Sequence, residues 1–571
     1  MKNIVEIEDL RIEFHLRDGV VNAVNGVTLA VKPGEVLGVV GESGSGKSLS
    51  ARAIMNLLPR TAKVTSGRVR VQRKDGSVLD VLEQGRESRA MREVRGGQVG
   101  MVFQEPMTAL SPMHSIGRQI TTTLSLHTDL SRTAQRDRAR ELLDLVLLPD
   151  PRTMLDKYPH QLSGGMRQRA MIAMALSCNP ALLLADEPTT ALDVTTEAQI
   201  LELIRGLQEK FRMGVIFITH NFGVVAELAD RVAVMRTGEV VEEAGLEEVF
   251  YAPRHAYTQR LLSLIPRLPK AGAAPSKPEP PLSQEPVIDL RGLTMDFTVS
   301  KDWLGRSRDK LRAVDDVSFQ IDRGETFGLL GESGSGKSTV ARCILGAYAP
   351  TAGSIHFRDR DNRKHVLTEL RGERLRRLRQ HFQMVFQDPY SSLNPRMTVE
   401  QLIGEPLVNQ GETDAGLIRS RAAELLEQVG LSTAMLSRYP HAFSGGQRQR
   451  ISIARALCTN PSFVVLDESV SALDVSIAAQ IIDLLRDLQV RLKLTYLFIT
   501  HDLSMIANFA DRIGVMRHGR MVEVSETRRF FSEPRHPYSE ALLHAVPIPD
   551  PRLARERRSA KLASFRHSSA A

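Results

Sequence analysis

The chain has 571 residues, 42% of them apolar and 25% charged, with a formal net charge of +8. That length argues for two to four domains with sizeable cores, and no uninterrupted apolar run reaches the roughly 18–20 residues a membrane span requires. Glu6, Glu8 and Asp9 sit where a secretory leader needs its apolar core, so secretion by that route is not expected, and three scattered cysteines read as buried free thiols rather than as disulfides or a zinc site. The positive charge suits a nucleic-acid binder or a protein working beside anionic lipid, and decides between neither.

In chain order, a strand pattern at Val5–Ile12 leads to the apolar run Val36–Val40 and then to Gly41, Glu42, Ser43, Gly44, Ser45, Gly46, Lys47 and Ser48. These eight residues fit the nucleotide phosphate-binding loop, and Leu49–Leu58 reads as the helix that should follow it. The glycines let backbone N–H groups cradle phosphate oxygens at the helix start, the lysine reaches the terminal phosphates, and Ser48 suits a Mg²⁺ ligand. Gln104 leaves an apolar strand at Met101–Phe103. It could reach Mg²⁺ or an attacking water, or be an ordinary loop glutamine. A helical pattern follows at Gln135–Leu147. Ser163, Gly164 and Gly165 then open the helical stretch Met166–Ala175, giving either a plain N-cap or a second anion seat.

Asp186 and Glu187 end the strand-like run Ala181–Ala185. Adjacent acids there point in different directions. Asp186 suits the Mg²⁺ sphere and Glu187 suits polarising a water that attacks the γ-phosphate, although acid pairs at strand ends also serve as helix caps. His220 ends the run Val215–Ile218, where it is either structural or a donor to developing phosphate charge. Short apolar runs alternating with helical patterns give an α/β unit with a mainly parallel sheet.

The unit then repeats. A Pro- and Ala-rich stretch over 266–286 reads as an extended linker, and Val287–Leu293 restarts the strand pattern. The second loop is Gly331, Glu332, Ser333, Gly334, Ser335, Gly336, Lys337 and Ser338, after the run Thr326–Leu330 and before a helical stretch Thr339–Leu345. Gln387, the helical pattern Ile418–Val429, the triplet Ser444, Gly445 and Gly446, the acids Asp467 and Glu468, and His501 follow in the same order. Pro253–Tyr257 pairs in the same way with Pro534–Tyr538. The Ser-Gly-Gly, Asp-Glu, Thr-His and Pro-Arg-His pairs share one separation, so the later half of each unit has no net insertion. Domains are expected at 1–265 and 287–550, with a basic, disordered tail over 551–571.

Loop, Gln, Ser-Gly-Gly, Asp-Glu, Ala-Leu-Asp (191–193 and 472–474) and His, in this order, resemble the ATP-binding subunits of ABC transporters. The resemblance covers nearly all of both units. It implies two tandem P-loop ABC ATPase domains, each with a mainly parallel sheet core, an N-terminal antiparallel β subdomain and a helical subdomain. It further implies head-to-tail sites. One would use Lys47, Ser48, Gln104, Asp186, Glu187 and His220 with Ser444–Gly446; the other would use Lys337, Ser338, Gln387, Asp467, Glu468 and His501 with Ser163–Gly165. Ser48, Gln104, Asp186, Ser338, Gln387 and Asp467 would hold Mg²⁺ beside ATP.

Gln387–Pro395, Tyr439–Ser444 and Pro534–Tyr538 look like the oligopeptide/dipeptide/nickel importers, here fused as in the ATPases of microcin-type peptide and glutathione importers. The implied function is an ATP-hydrolysing energy-coupling subunit, peripheral on the cytoplasmic face of a bacterial inner membrane. Its implied partners are two integral-membrane permease subunits, docking near the regions after Gln104 and Gln387, and an extracytoplasmic substrate-binding protein. Peptides lead as cargo. No cysteine follows Cys178 in the first unit or Cys458 in the second, so no iron–sulfur cluster is expected. No nucleic acid is expected either: twin-unit translation factors tend to have a long charged helical linker, and DNA-repair relatives carry zinc cysteines or coiled-coil insertions. The sequence departs from the pattern at Met166, opposite Gln447, and in its adenine-stacking aromatic, for which Phe14, Phe297 and Trp303 are the candidates.

Overall fold

The computed structural model describes residues 2–16, 19–190, 192–265, 286–301, 307–470 and 473–568. The expected linker, apart from Pro286, lies outside them, as do Trp303, Ala191 and Ala472. The chain forms two compact units. The first is Met1–Leu192, Thr196–Ile265 and Pro547–Ala571; the second is Asp193–Thr195 and Pro266–Val546.

Unit one begins with β1 (Val5–Leu16) and β2 (Gly19–Val31), followed by β3 (Val36–Val40), β4 (Ala62–Gln72), β5 (Val78–Asp80) and β6 (Val99–Val102). After a helical stretch come β7 (Leu182–Asp186), β8 (Gly214–Ile218), β9 (Arg231–Arg236) and β10 (Glu239–Gly245). Two sheets result: an antiparallel one in the order β2-β1-β4-β5, and a six-stranded one in the order β10-β9-β3-β8-β7-β6. In the larger sheet only the β9–β10 pair is antiparallel.

Strands β3, β7 and β8 are buried along their whole length because both faces of their sheet are covered. Successive side chains alternate between two cores. Leu182, Leu184, Ile216 and Ile218 face the β1/β2/β4 sheet and the loop helix Lys47–Ile54. Leu183, Ala185, Val215 and Phe217 face the helical layer. That layer contains Ile116–His127, Arg132–Leu145 and Gly164–Ala175, each opened by a serine whose hydroxyl caps the first turn.

Unit two repeats the plan with β11 (Ile288–Lys301), β12 (Ser307–Ile321), β13 (Thr326–Leu330), β14 (Ala352–Arg358) and β15 (Lys364–Val366). Its remaining strands are β16 (Phe382–Val385), β17 (Phe463–Asp467), β18 (Thr495–Ile499), β19 (Arg512–Arg517) and β20 (Arg520–Glu526). The orders are β12-β11-β14-β15 and β16-β17-β18-β13-β19-β20.

Helix boundaries differ from the sequence reading by four residues or fewer. The loop helices start at Lys47 and Lys337, inside the motif itself, and end at Ile54 and Ile344. The middle helices are Arg132–Leu145 and Ala415–Gln428. The basic tail carries the helix Pro551–Ser568, where Asp550 caps the first turn and Arg555 finds Glu247.

Candidate active sites

In unit one β3, β6, β7 and β8 run parallel, so their carboxyl ends meet along one edge of the sheet. The phosphate loop follows β3, Gln104 follows β6, Asp186 and Glu187 end β7, and His220 follows β8. This is where parallel α/β sheets place ligands. The loop is fixed by close backbone approach. Gly41 has φ +153°, and a Cβ there would lie 2.2 Å from the Met235 carbonyl oxygen; Gly46, at φ +94°, leaves 2.7 Å to that of Ala23. Only glycine fits either place.

Lys47 is buried, and its ammonium donates to the carbonyls of Gly41 (2.7 Å) and Glu42 (2.8 Å). Ser48 Oγ donates to Asp186 Oδ1 at 2.7 Å. Asp186 Oδ2 is buried without a hydrogen-bond partner, with the Arg52 guanidinium 3.8 Å away. Burial raises the pKa of Asp186 above the usual carboxylate value despite the opposing Ser48 and Arg52.

Glu187 stands in the left-handed backbone region at φ +46°, as does Glu468. A non-glycine residue pays about 1–3 kcal/mol for such a conformation, and such strain concentrates at functional sites. The Glu187 N–H is held by the Ile218 carbonyl at 3.0 Å. Its carboxylate accepts from Gln104 Nε2 at 2.8 Å and Thr190 Oγ1 at 3.0 Å, with His220 Nδ1 at 3.3 Å. Burial opposes ionisation of Glu187, but the His220 hydrogen bond and charge, Thr190 and Lys47 outweigh it, and the pKa falls below the usual value.

Unit two reproduces this geometry. Lys337 Nζ donates to the carbonyls of Gly331 (2.6 Å) and Glu332 (2.8 Å), and Ser338 Oγ to Asp467 Oδ1 (3.1 Å). Gln387 Nε2 donates to Glu468 Oε2 at 2.6 Å, and His501 Nδ1 lies 3.4 Å from Glu468 Oε1. Burial depresses the Lys337 pKa against the pull of Glu468 and Asp467. Burial likewise raises that of Asp467. His501 is raised because its Glu468 bond and charge overcome burial, and Glu468 is lowered for the same reason.

Ser163 and Ser444 start the helices Gly164–Ala175 and Gly445–Leu457, and their hydroxyls accept from the N–H groups of Met166 (3.3 Å) and Gln447 (3.4 Å). In unit two Gln447 Oε1 also accepts from the Ser444 N–H at 3.1 Å, closing a capping box that Met166 has no polar atom to form. Within each unit these serines bond their own helix and do not join the Lys–Asp–Glu–His cluster. Of the aromatic candidates, Phe297 packs edge-on against Tyr348 at 5.3 Å and lines a core; Phe14 is half-buried.

One feature of the loop was not assigned a role from sequence. The hydroxyls of Tyr257 and Tyr538 accept from the N–H groups of Glu42 (3.4 Å) and Glu332 (3.2 Å). Their motif was visible as a repeat, but its distance along the chain hid the contact.

A model of the ABC transporter family matches residues 24–190 and 314–471, and a model of the oligopeptide/dipeptide transporter C-terminal region matches 241–287 and 522–569. A relative named glutathione import ATP-binding protein GsiA, from Salmonella typhimurium, is 46% identical over 577 residues, covering 98% of this chain and 92% of the relative. This chain belongs to the ABC transporter ATP-binding family. The protein of the same name from Escherichia coli (strain K12) is 46% identical over 97% of this chain and 91% of its own. Among solved structures, the dimeric post-hydrolysis state of the ATP-binding cassette MJ0796 bound to ADP and Pi aligns with a TM-score of 0.37 and 29% identity, over 42% of this chain and 98% of that one. The chain is thus an ABC ATPase with two fused cassettes, the ATP-binding subunit of an importer, and such a subunit works with membrane permeases. Among the described residues no helix is long and apolar enough to cross a membrane.

Proposed function

We propose that each cassette binds one ATP at its phosphate loop and hydrolyses it with the residues gathered along the sheet edge. The observation that carries this reading is the duplicate Lys–Ser–Asp–Glu–Gln–His geometry, intact in both units. Lys47 and Lys337 leave their loop carbonyls for the β- and γ-phosphates, and loop N–H groups hold the rest of the anion. Ser48 with Asp186 and Gln104, and Ser338 with Asp467 and Gln387, would hold Mg²⁺; the buried Asp186 Oδ2, which has no hydrogen bond and only the Arg52 guanidinium at 3.8 Å, fits a cation ligand. When bound, Mg²⁺ offsets the charge of the phosphates.

Glu187 and Glu468, kept ionised by their histidines, act as the bases that orient and polarise the attacking water. His220 and His501 turn from these carboxylates to the charge developing on the γ-phosphate. Gln104 and Gln387 hold the carboxylates until water and nucleotide arrive. Ser163–Gly165 and Ser444–Gly446 serve as the second anion seats. We place each against the nucleotide on the other unit's loop, since their hydroxyls take no part in their own unit's cluster. The reading contains no iron–sulfur cluster, since no cysteine follows Cys178 in the first unit or Cys458 in the second, and no nucleic acid.

The cargo we propose is a small peptide of the glutathione class. The curated relatives are named for glutathione import, and both C-terminal stretches match the oligopeptide/dipeptide model. Two integral-membrane permeases and an extracytoplasmic binding protein complete the importer, with this chain peripheral on the cytoplasmic face of a bacterial inner membrane. In unit two a cavity of about 450 Å³ opens beside Phe386, Pro406 and Arg455, and suits a permease segment. The test is uptake of labelled glutathione and a dipeptide into liposomes carrying the co-purified permeases, with the binding protein outside and ATP and this chain inside. Uptake lost in the Lys47→Ala/Lys337→Ala chain supports the reading. Transport of nickel or an oligosaccharide instead would replace its cargo.

A further inference from the structure

The Pro-Arg-His-x-Tyr segments lie far along the chain from the phosphate loops, yet each ends on one. In unit one the Glu242 carboxylate on β10 accepts from the N–H groups of Arg254 (2.7 Å) and His255 (3.1 Å). His255 Nδ1 accepts from the Tyr257 N–H at 3.1 Å and caps the helix Ala256–Ser263. The Arg236 guanidinium, at the end of β9, lies over the Tyr257 ring at 4.9 Å. The ring is therefore held from two sides, with its hydroxyl on the Glu42 N–H.

Unit two has the same chain of contacts. Glu523 accepts from the N–H groups of Arg535 and His536 at 3.1 Å each, and His536 Nδ1 from the Tyr538 N–H at 3.1 Å. Arg517 lies over the Tyr538 ring at 4.7 Å, and the hydroxyl meets the Glu332 N–H at 3.2 Å. Burial, and then the charge of the adjoining Glu42 or Glu332, pushes each phenol up to about 12, so it stays neutral.

The peptide unit contacted is a special one. Its N–H, on Glu42, bonds the tyrosine, and its carbonyl, on Gly41, accepts from Lys47 at 2.7 Å. Tyrosine and lysine hold opposite sides of one peptide plane. A rotation of that plane would break both bonds, and bonds in series reinforce each other. In unit two Gly331–Glu332 stands in the same way between Lys337 and Tyr538.

We infer that Tyr257 and Tyr538 are positioning residues for ATP: through the Gly41–Glu42 and Gly331–Glu332 peptides they hold the loop and its lysine ready for the nucleotide, tying the importer-specific C-terminal region to the binding site. The inference rests on the phosphate-loop reading above. A hydroxyl on one such bond changes the affinity about fivefold.

The test is calorimetric titration of the full chain with Mg-ATPγS. In Tyr257→Phe/Tyr538→Phe, which keeps both rings beneath their arginines, Kd should rise about fivefold. Tyr538→Phe alone should split the isotherm into one native and one weakened class, which a general loss of stability would not do. A double variant with native Kd, whatever its thermal midpoint, overturns the inference and leaves the tyrosines as packing groups. The Lys47→Ala/Lys337→Ala chain separates the two readings. If it binds like the native chain, the loop reading fails and the tyrosines with it; if it does not bind while the phenylalanine variant is native, the tyrosine inference alone fails.

Discussion

Glu187 and Glu468 show how a single residue is prepared for its work. Each carries backbone strain, each is half-buried, and each is nevertheless kept below its usual pKa by a histidine. Removing the charge while keeping the shape, as in Glu187→Gln or Glu468→Gln, should lower steady-state ATP turnover by about 10²–10³-fold at the altered site. Native turnover in either single variant would remove that glutamate from the mechanism. The His501–Glu468 pair also predicts a pH dependence of stability. His501 holds its proton more tightly in the folded chain than its ordinary 6.5, so its stabilisation is complete below 6.5 and fades as pH rises through the higher folded value. Glu468 is lowered from 4.5, so its contribution is complete above 4.5 and fades as pH falls through the lower folded value. The thermal-midpoint gap between the native chain and His501→Gln should therefore be widest between 4.5 and 6.5 and shrink above 6.5. A gap that widens above 6.5 contradicts the assignment.

At the scale of elements, the two Ser-Gly-Gly helix starts are set by how closely the next helix approaches. A Cβ on Gly165 would lie 2.5 Å from Thr196 Cγ2, and one on Gly446 would lie 2.6 Å from Ile477 Cγ2. Helix propensity favours alanine by about 1 kcal/mol, whereas overpacking against a stiff β-branched neighbour costs about 1–3 kcal/mol. The clash should win, so Gly165→Ala and Gly446→Ala should each lower the thermal midpoint. A raised midpoint would mean that the neighbouring helix yields. The strands at this scale were largely legible in sequence. Val36–Val40 and Thr326–Leu330 have the bounds their apolar runs suggested, since a strand buried on both faces must be apolar throughout. The loop helices begin earlier than their apolar pattern, because the loop's last glycine caps the helix and Lys47 and Lys337 are already in it.

For the whole molecule, the last segment changes what counts as a unit. Pro547–Ala571 packs with unit one, not with the sequence next to it. Asp550 accepts from the Tyr251 hydroxyl at 2.6 Å, Arg552 lies over the Tyr251 ring at 4.5 Å, Arg555 pairs with Glu247 at 2.7 Å and Arg558 with Glu209 at 2.7 Å. Exposed ion pairs contribute at most about 1 kcal/mol each and the cation–π contact about as much. Ending the chain after Val546 should thus lower the unit-one transition in scanning calorimetry by about 5 °C while leaving that of unit two in place. Equal shifts of both transitions would contradict the assignment of the segment to unit one.

The sequence by itself determined the repeat, the α/β order of each unit and the phosphate loops, and it proposed the Lys–Ser–Asp–Glu–Gln–His set, because phosphate binding demands particular residue types at short spacing in the loop and at strand ends beyond it. Only the tertiary structure decided that Glu187 and Glu468 meet their glutamine and histidine along one sheet edge, that Asp186 keeps a buried oxygen without a hydrogen bond, and that Tyr257 and Tyr538 reach the loops. It also decided that a basic tail becomes a helix. These are contacts between residues far apart in the chain. They depend on strand order and on which side chains burial brings together, and neither is written in local spacing.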